Sequence, residues 1–431
     1  MIINDISNVT DVTEVTDPTE TPLKRIREEA KGGLCFDAKT GRISHIEEKE
    51  MPACKTEAEN NPRVLYYAAR RWSNHPFSEG CSSAPNRIYF EVTNQCNLYC
   101  KTCYRNAGSA LPKEMDTEGA KNLIKKLAAI GVHELRLTGG EPTVRADILE
   151  LIDCAAHCGL YITMGTNGIW SKAMTNALTE RPIGRFLVSL DGPGLVNDNI
   201  RGAGSFAMTM RTMKTLIDKN RNVRVNMLLT RSALKHLDEF AEICVNSGVL
   251  HLSMIVPRPA GRAASEALSS EIPTPSDMED AALSIVPIKK RYGLSIEFQY
   301  NIYGDHVSGQ GSDPVVQKIL SCPAGREAAF ISPEGLLYAC GCTPDWAGNP
   351  SRKNTFVAGN VTDMSAYDLW RTWQTSATWG VFRALHKSKD KSCFACRYYG
   401  AGCFGSCPIH AYIEENKFNG SDPMCWVGKN N

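Results

Sequence analysis

Apolar positions along the chain switch repeatedly between two periods. Ile88, Phe90 and Val92 share one face of the stretch 87–93, the alternation of a strand. From Thr117 to Ile130 the spacing becomes helical, with Leu123, Ile124, Leu127 and Ile130 on one face and Gly131 as the stop. The exchange continues with strands at 133–138, 160–164, 185–190, 223–229 and 250–256, and helices from Ala146, at 206–219 and at 234–247. Such units predict parallel strands with right-handed crossovers, an α/β open sheet or barrel. Functional residues then belong at the C-terminal strand ends.

The flanks read differently. Residues 1–22, rich in Thr, Asp and Glu without aromatics, predict a disordered tail. In a small N-terminal module, 23–85, residues 32–44 predict a hairpin with Asp37 and Gly41 in its turn. Pro62 to Trp72 predicts a short helix with Pro in its first turn. The repeat occupies 86–264. A bridging region, 265–314, opens with a polar linker to Ser276, then a helix over 281–292 and a strand over 294–298. A cysteine-rich region, 315–431, ends the chain.

With 431 residues and a net charge of +1, the chain has room for several domains and no global field for nucleic acid or an anionic membrane. No apolar run reaches membrane-span length, and the start lacks the features of a signal peptide. Seventeen cysteines therefore point to metal or redox cofactors in a reducing cytoplasm.

Three of them, Cys96, Cys100 and Cys103, are spaced C-x3-C-x2-C directly after the first strand. A tight loop there turns three thiolates toward one point, and an iron–sulfur cube so held keeps one iron open. Zinc would want a fourth ligand, and neither Cys81 nor His75 has the usual spacing. Thr138-Gly139-Gly140-Glu141-Pro142 ends the second strand, 36 residues after Cys103 counted to Gly139. Adjacent glycines admit close backbone approach, and the carboxylate can accept from an ammonium group.

These motifs resemble those of the radical S-adenosylmethionine (SAM) enzymes. The resemblance implies a partial (β/α)6 TIM-like barrel and a [4Fe-4S] cluster on Cys96, Cys100 and Cys103. SAM chelates the free iron and is cleaved by one electron to a 5′-deoxyadenosyl radical, which removes hydrogen from a substrate. By the same resemblance Gly139, Gly140, Glu141 and Pro142 face the SAM amino group, and Thr166 and Asn167 close the third strand. Ser189 and Asp191 lie near the ribose and carboxylate, and Arg201 holds the carboxylate. Pro257 and Gly261-Arg262-Ala263 border the adenine. The family's aromatic residue before the third cysteine is Thr102 here, with Tyr99 and Tyr104 nearby.

The C-terminal cysteines resemble the SPASM extension, which carries two further [4Fe-4S] clusters. Residue by residue, Cys322, Cys340 and Cys407 would hold the nearer auxiliary cluster, with Cys342 as a candidate fourth ligand. Cys393, Cys396, Cys403 and Cys425 would hold the outer one. Zinc is the physical competitor for closely placed thiolates. Cys154, His157 and Cys158 share a helix face and read as small buried groups. Cys81 is a candidate extra ligand or hydrogen donor.

The expectation is an enzyme with SAM and three [4Fe-4S] clusters that modifies a peptide or protein side chain. The hairpin module weakly resembles leader-peptide-binding modules, and a lid is the alternative. Haem or other cofactor assembly is the alternative substrate class. Formylglycine maturation fits less well, because those enzymes carry an Asp where this chain has Gly341. A zinc- or cluster-binding protein without catalysis is the non-enzyme reading. The implied electron donor is a flavodoxin or ferredoxin.

Overall fold

The computed structural model describes residues 2–4, 6, 22–72, 77–78, 80–258, 260–298, 322–343, 356–384, 391–396, 407–420 and 422–425. Two sheets organise them.

The N-terminal sheet has the order β1-β5-β2-β3-β4. Its strands are β1 (Ile2–Ile3), β2 (Lys24–Glu28), β3 (Gly33–Asp37), β4 (Ile43–Ile46) and β5 (Val64–Tyr67), with helix α1 (Met51–Asn60) before β5. The hairpin expected over 32–44 is β3–β4. The helix expected over 62–72 is not formed: Val64-Leu65-Tyr66-Tyr67 is a strand, followed by a 3-10 turn over Ala69–Arg71. β-branched and aromatic residues suit the pleat, and β5 lies between β1 and β2, parallel to both. The tail is also ordered at its start, where Ile2–Ile3 pairs with β5 and Ile6 is buried. Residues 7–21 lie outside the described residues.

The second sheet has ten strands. They are β6 (Arg87–Glu91), β7 (Glu134–Thr138), β8 (Tyr161–Thr166), β9 (Ile183–Ser189), β10 (Val223–Leu228), β11 (His251–Ile255), β12 (Ser295–Phe298), β13 (Ala328–Ile331), β14 (Leu336–Tyr338) and β15 (Val357–Asn360). The order is β12-β11-β10-β9-β8-β7-β6-β13-β14-β15, parallel from β12 to β13 and antiparallel beyond. Crossover helices are α2 (Thr117–Ala129), α3 (Ile148–His157), α4 (Lys172–Thr179), α5 (Leu195–Arg201), α6 (Ser205–Asp218), α7 (Arg231–Leu234) and α8 (Leu237–Asn246), with α9 (Pro275–Tyr292) before β12. The six expected strands are β6–β11, and the sheet gains β12 at one edge and the extension's β13 at the other. α9 begins earlier than expected because Thr274 and Asp277 form a reciprocal capping box with Pro275 in the first turn. Much of the expected linker is therefore ordered.

Strand alternation divides β6 into two faces. Ile88, Phe90 and Val92 are buried in one core with Leu123, Ile124 and Leu127 of α2. Arg87, Tyr89 and Glu91 take the other face, toward the barrel interior. There Glu134 pairs with Arg87 at 2.6 Å and Arg136 at 2.8 Å, and accepts from Thr163 at 2.7 Å. Burial alone would raise Glu134, but the two arginines hold it down at about 2. Arg136 also lies over the Tyr89 ring. A charged layer thus fills the lower barrel and leaves the strand C-termini for chemistry.

The N-terminal module docks on the opposite end. Arg25 and Arg27 of β2 are fully buried. Arg25 donates to the carbonyls of Gly159 and Ala128, and Arg27 to those of Gly131 and Pro85. All four flank strand N-termini or helix ends at the barrel's base. Phe36 stacks on His133 there, with centroids 4.8 Å apart. The described part of the module thus packs against the barrel through its base.

The extension is fastened through β13 on β6 and through the helix Ala366–Thr375. Trp370, Trp373 and Gln374 of that helix donate to the carbonyls of Ser82 and Ser83. That helix ends at extended Ser376, and a 3-10 turn and a short helix, Gly380–Arg383, follow. This lets Trp379 pack edge-on against Trp373, at 5.3 Å. Among the described residues, no helix is long and apolar enough to cross a membrane.

Candidate active site at the barrel mouth

The cysteine loop leaves β6 and closes on itself. Cys96 N–H donates to Gly108 at 2.9 Å and Gly108 N–H to Asn94 at 3.1 Å. Glu114 caps the same neck, accepting from the Thr93 hydroxyl and the Asn94 N–H, both at 2.7 Å. Backbone N–H groups point at two of the sulfurs, Leu98 at Cys96 and Ala107 at Cys103, both 3.4 Å. Burial pushes Cys96 up to about 11, and Cys100 also upward, so as free groups both hold their protons. Bound iron would displace those protons, and aimed N–H donors suit a sulfur that carries charge.

The Gly-Gly turn is pinned beside this loop. Gly140 N–H donates to Thr93 and Glu141 N–H to Gln95, each at 2.8 Å. Gly139 has φ +144, and a Cβ on either glycine would collide with the backbone of Thr93–Gln95. The close approach that two glycines permit is to the cysteine loop's own backbone.

Glu141 is fully buried. Its carboxylate accepts from the Thr143 N–H and hydroxyl, the Thr166 hydroxyl and the Asn167 N–H. Burial raises it above the usual carboxylate range while these donors oppose the shift. These contacts form an internal brace, with Pro142 opening the 3-10 turn that follows. Asn167 continues the brace: its amide donates to Asn97 at 2.8 Å and lies 3.9 Å from the Cys96 sulfur.

Ser189 is half-buried at the end of β9, and Asp191 is buried two residues on. Arg201 ends α5 and pairs with Asp191 at 2.7 Å. Burial works against its charge, but Asp191 and then Cys100 hold it strongly protonated. The Lys101 N–H to Ile200 bond, 2.9 Å, ties the loop to α5.

Glu91 is the residue that sequence reasoning missed. It is 2% exposed, pairs with Arg105 at 2.5 Å, and one carboxylate oxygen has no partner. Burial pushes it up to about 7 despite Arg105. Tyr104 beside it is raised well above its usual range by burial and by Glu91 and Cys342. The signal was present as the polar face Arg87-Tyr89-Glu91 of an otherwise apolar strand.

The extension brings Cys322, Cys340, Cys342 and Cys407 into one electrostatic neighbourhood. The hydrogen bond between Cys340 and Cys342 pushes Cys340 up and Cys342 down, with Arg258, His410 and Arg105 adding positive charge beside Cys342. Burial and Cys407 push Cys322 up to about 12. Cys393 and Cys396 lie one turn apart, joined by an N–H to carbonyl bond of 3.0 Å. Cys425 follows Asp422, and Cys403 lies outside the described residues. Cys81 donates toward the Ser78 carbonyl, away from the mouth. Cys154 and Cys158 hydrogen-bond to each other on α3. Among the described residues, no three His, Cys, Asp or Glu side chains close on a single metal ion.

Family comparison agrees with this layout. Residues 90–243 match the radical SAM superfamily and residues 322–397 an iron–sulfur cluster-binding domain, SPASM. The chain belongs to the radical SAM superfamily and carries a SPASM extension. It is 29% identical over 349 residues to the mycofactocin maturase MftC of Mycolicibacterium smegmatis, covering 80% of this chain and 83% of that one. It is 28% identical over 400 residues to an AdoMet-dependent heme synthase of Oleidesulfovibrio alaskensis, covering 88% and 94%. In fold it is similar to Streptococcus suis SuiB bound to its precursor peptide SuiA, with TM-score 0.69 and 16% identity over 94% of this chain and 99% of that one. The radical SAM and SPASM domains imply SAM and iron–sulfur clusters as cofactors.

Proposed function

We propose that this radical SAM/SPASM enzyme modifies a peptide or protein side chain. Cys96, Cys100 and Cys103 would hold a [4Fe-4S] cluster that binds SAM; with one electron from an external reductant it would supply cleavage of SAM to methionine and a 5′-deoxyadenosyl radical, which takes a hydrogen atom from the substrate. The carrying observation is the closed three-cysteine loop at the strand C-termini, two of whose sulfurs, Cys96 and Cys103, meet backbone N–H groups. The chain's own residues then divide the work. Glu114 keeps the neck closed, Asn167 lies against Cys96, and Arg201, paired with Asp191, stands beside Cys100. Gly139, Gly140, Pro142, Thr166, Ser189 and Tyr104 border the SAM pocket.

Two auxiliary [4Fe-4S] clusters bring the total to three. Cys322, Cys340, Cys342 and Cys407 hold the nearer one, supported by their shared neighbourhood, and Cys393, Cys396, Cys403 and Cys425 the outer one. The segment 86–264 is the radical SAM unit, 265–314 the bridge and 315–431 the extension. The module of residues 23–85 is a leader-binding candidate, whose exposed edge strand β4 suits an extended peptide. The substrate class rests on the likeness to the maturases named above. A flavodoxin or ferredoxin is the proposed reductant and the cytoplasm the proposed compartment.

The heme synthase likeness supports a second reading, in which a porphyrin-type substrate is oxidised. Formylglycine chemistry gains nothing here, since a side chain at Gly341 would run into the Phe330 ring. The test is anaerobic reconstitution with SAM, dithionite and the small peptide encoded beside the gene. A mass change in that peptide, coupled to 5′-deoxyadenosine, supports the proposal. Turnover of a porphyrinoid with an unchanged peptide selects the second reading, and zinc with little iron would sink both.

A further inference from the structure

The turn after β11 reaches back over the barrel mouth and grips the cysteine loop. Arg262 donates from Nε to the Cys100 carbonyl at 2.8 Å and from Nη1 to the Ala107 carbonyl at 2.9 Å. Its own N–H donates to the Cys103 carbonyl at 2.9 Å. The guanidinium face lies 3.8 Å from the centroid of the Tyr99 ring, which is itself 74% exposed. One side chain thus joins the middle of the loop to its exit, and its backbone holds the third cysteine.

The residue before it makes this approach feasible. Gly261 has φ +57, and a Cβ there would fall 2.5 Å from the Tyr104 carbonyl oxygen and 2.6 Å from that of Cys103. A side chain would both strain the turn and push the loop away. Arginine suits the second position because its planar fork can donate to two carbonyls while one face stacks on a ring. Lysine keeps the charge but cannot meet both carbonyls and the ring together.

We propose that Arg262 is a positioning residue: it fixes the cysteine loop to the turn after the sixth barrel strand, and so sets how the SAM-binding cluster presents its open iron. The proposal rests on the assignment of Cys96, Cys100 and Cys103 to that cluster. Bordering a bound adenine would not require these contacts, since the fork and the stacked face of the guanidinium are both committed to the loop.

The experiment uses the full holoenzyme and needs no peptide substrate. Electron paramagnetic resonance of the dithionite-reduced protein is recorded with and without SAM, so that only a cluster binding SAM changes. Wild type, Arg262→Lys, Arg262→Ala and Gly261→Ala are compared, with melting temperature and the SAM-independent signal as checks on the fold. Arg262→Lys, with charge kept and fork lost, should alter the SAM-dependent signal and raise the SAM dissociation constant about tenfold, the scale of one lost hydrogen bond. Gly261→Ala should give the same class of change without touching the guanidinium. Should Arg262→Ala fail to fold, the other two variants decide. Wild-type spectra and affinity in Arg262→Lys and Gly261→Ala would overturn the proposal. A wild type without any SAM-dependent signal would instead overturn the cluster assignment beneath it.

Discussion

The carboxylate of Glu141 takes the backbone N–H of Asn167 at 2.7 Å, joining the ends of β7 and β8 below the cysteine loop. The two glycines let the turn sit against Thr93–Gln95, and Glu141 locks it from the other side. Replacing Glu141 by Ala would strand buried donors on Thr143, Thr166 and Asn167. Each buried donor left without a partner costs about 1–3 kcal/mol. The expected outcome is a large fall in melting temperature, with SAM affinity falling alongside it. A variant with wild-type melting that binds SAM ten- to a hundred-fold more weakly would show a carboxylate that meets the ligand directly.

Glu91 predicts a pH dependence. Its folded value near 7 lies above the ordinary 4.5, so the folded protein binds this proton more tightly than the unfolded chain. The group's contribution favours folding fully below about 4.5 and is lost as pH rises through 7. The loss is on the order of 3 kcal/mol for a shift of this size. Urea midpoints at pH 5 and pH 8 should differ less in Glu91→Gln than in wild type. Equal slopes in the two proteins would place a neighbour, not Glu91, at the origin of the effect.

Changing Cys96, Cys100 and Cys103 together to Ala should abolish 5′-deoxyadenosine formation with dithionite. Iron in the extension should remain, because its proposed ligands, from Cys322 to Cys425, lie outside the loop that carries Cys96, Cys100 and Cys103. Undiminished SAM cleavage would remove the core of the functional reading.

Cys393 and Cys396 test the outer auxiliary cluster. Replacing both should spare SAM cleavage yet block product formation, if that cluster takes an electron from the substrate. Loss of the ligands can also unfold a small metal-stapled region, so circular dichroism accompanies the assay. A folded variant that lacks the outer cluster and turns over normally would defeat the redox role.

Arg25 tests the docking of the N-terminal module. Arg25→Met removes donors from the Gly159 and Ala128 carbonyls while roughly keeping the side chain's apolar length. Each buried acceptor left alone costs about 1–3 kcal/mol. Limited proteolysis should then cut between the module and β6 much faster than in wild type, with SAM cleavage preserved. Unchanged protection would mean that Arg27 and the Phe36–His133 stack suffice.

Local periodicity carried most of the architecture. Strand and helix spacings located β6–β11 and the larger crossover helices because each element's buried face repeats at its own period, whatever it packs against. Cys96, Cys100 and Cys103 were legible for a similar reason, since their spacing is a property of one loop. Other features depended on distant partners. Val64–Tyr67 became a strand because β1 and β2 offered edges on both sides, which no window around Pro62 contains. Glu141 turned inward because Thr166 and Asn167, from the next strand, point donors at it. Arg201 met Asp191 only once α5 folded over the end of β9. The fate of a charge is set by what burial brings beside it, and that was decided by the tertiary structure alone.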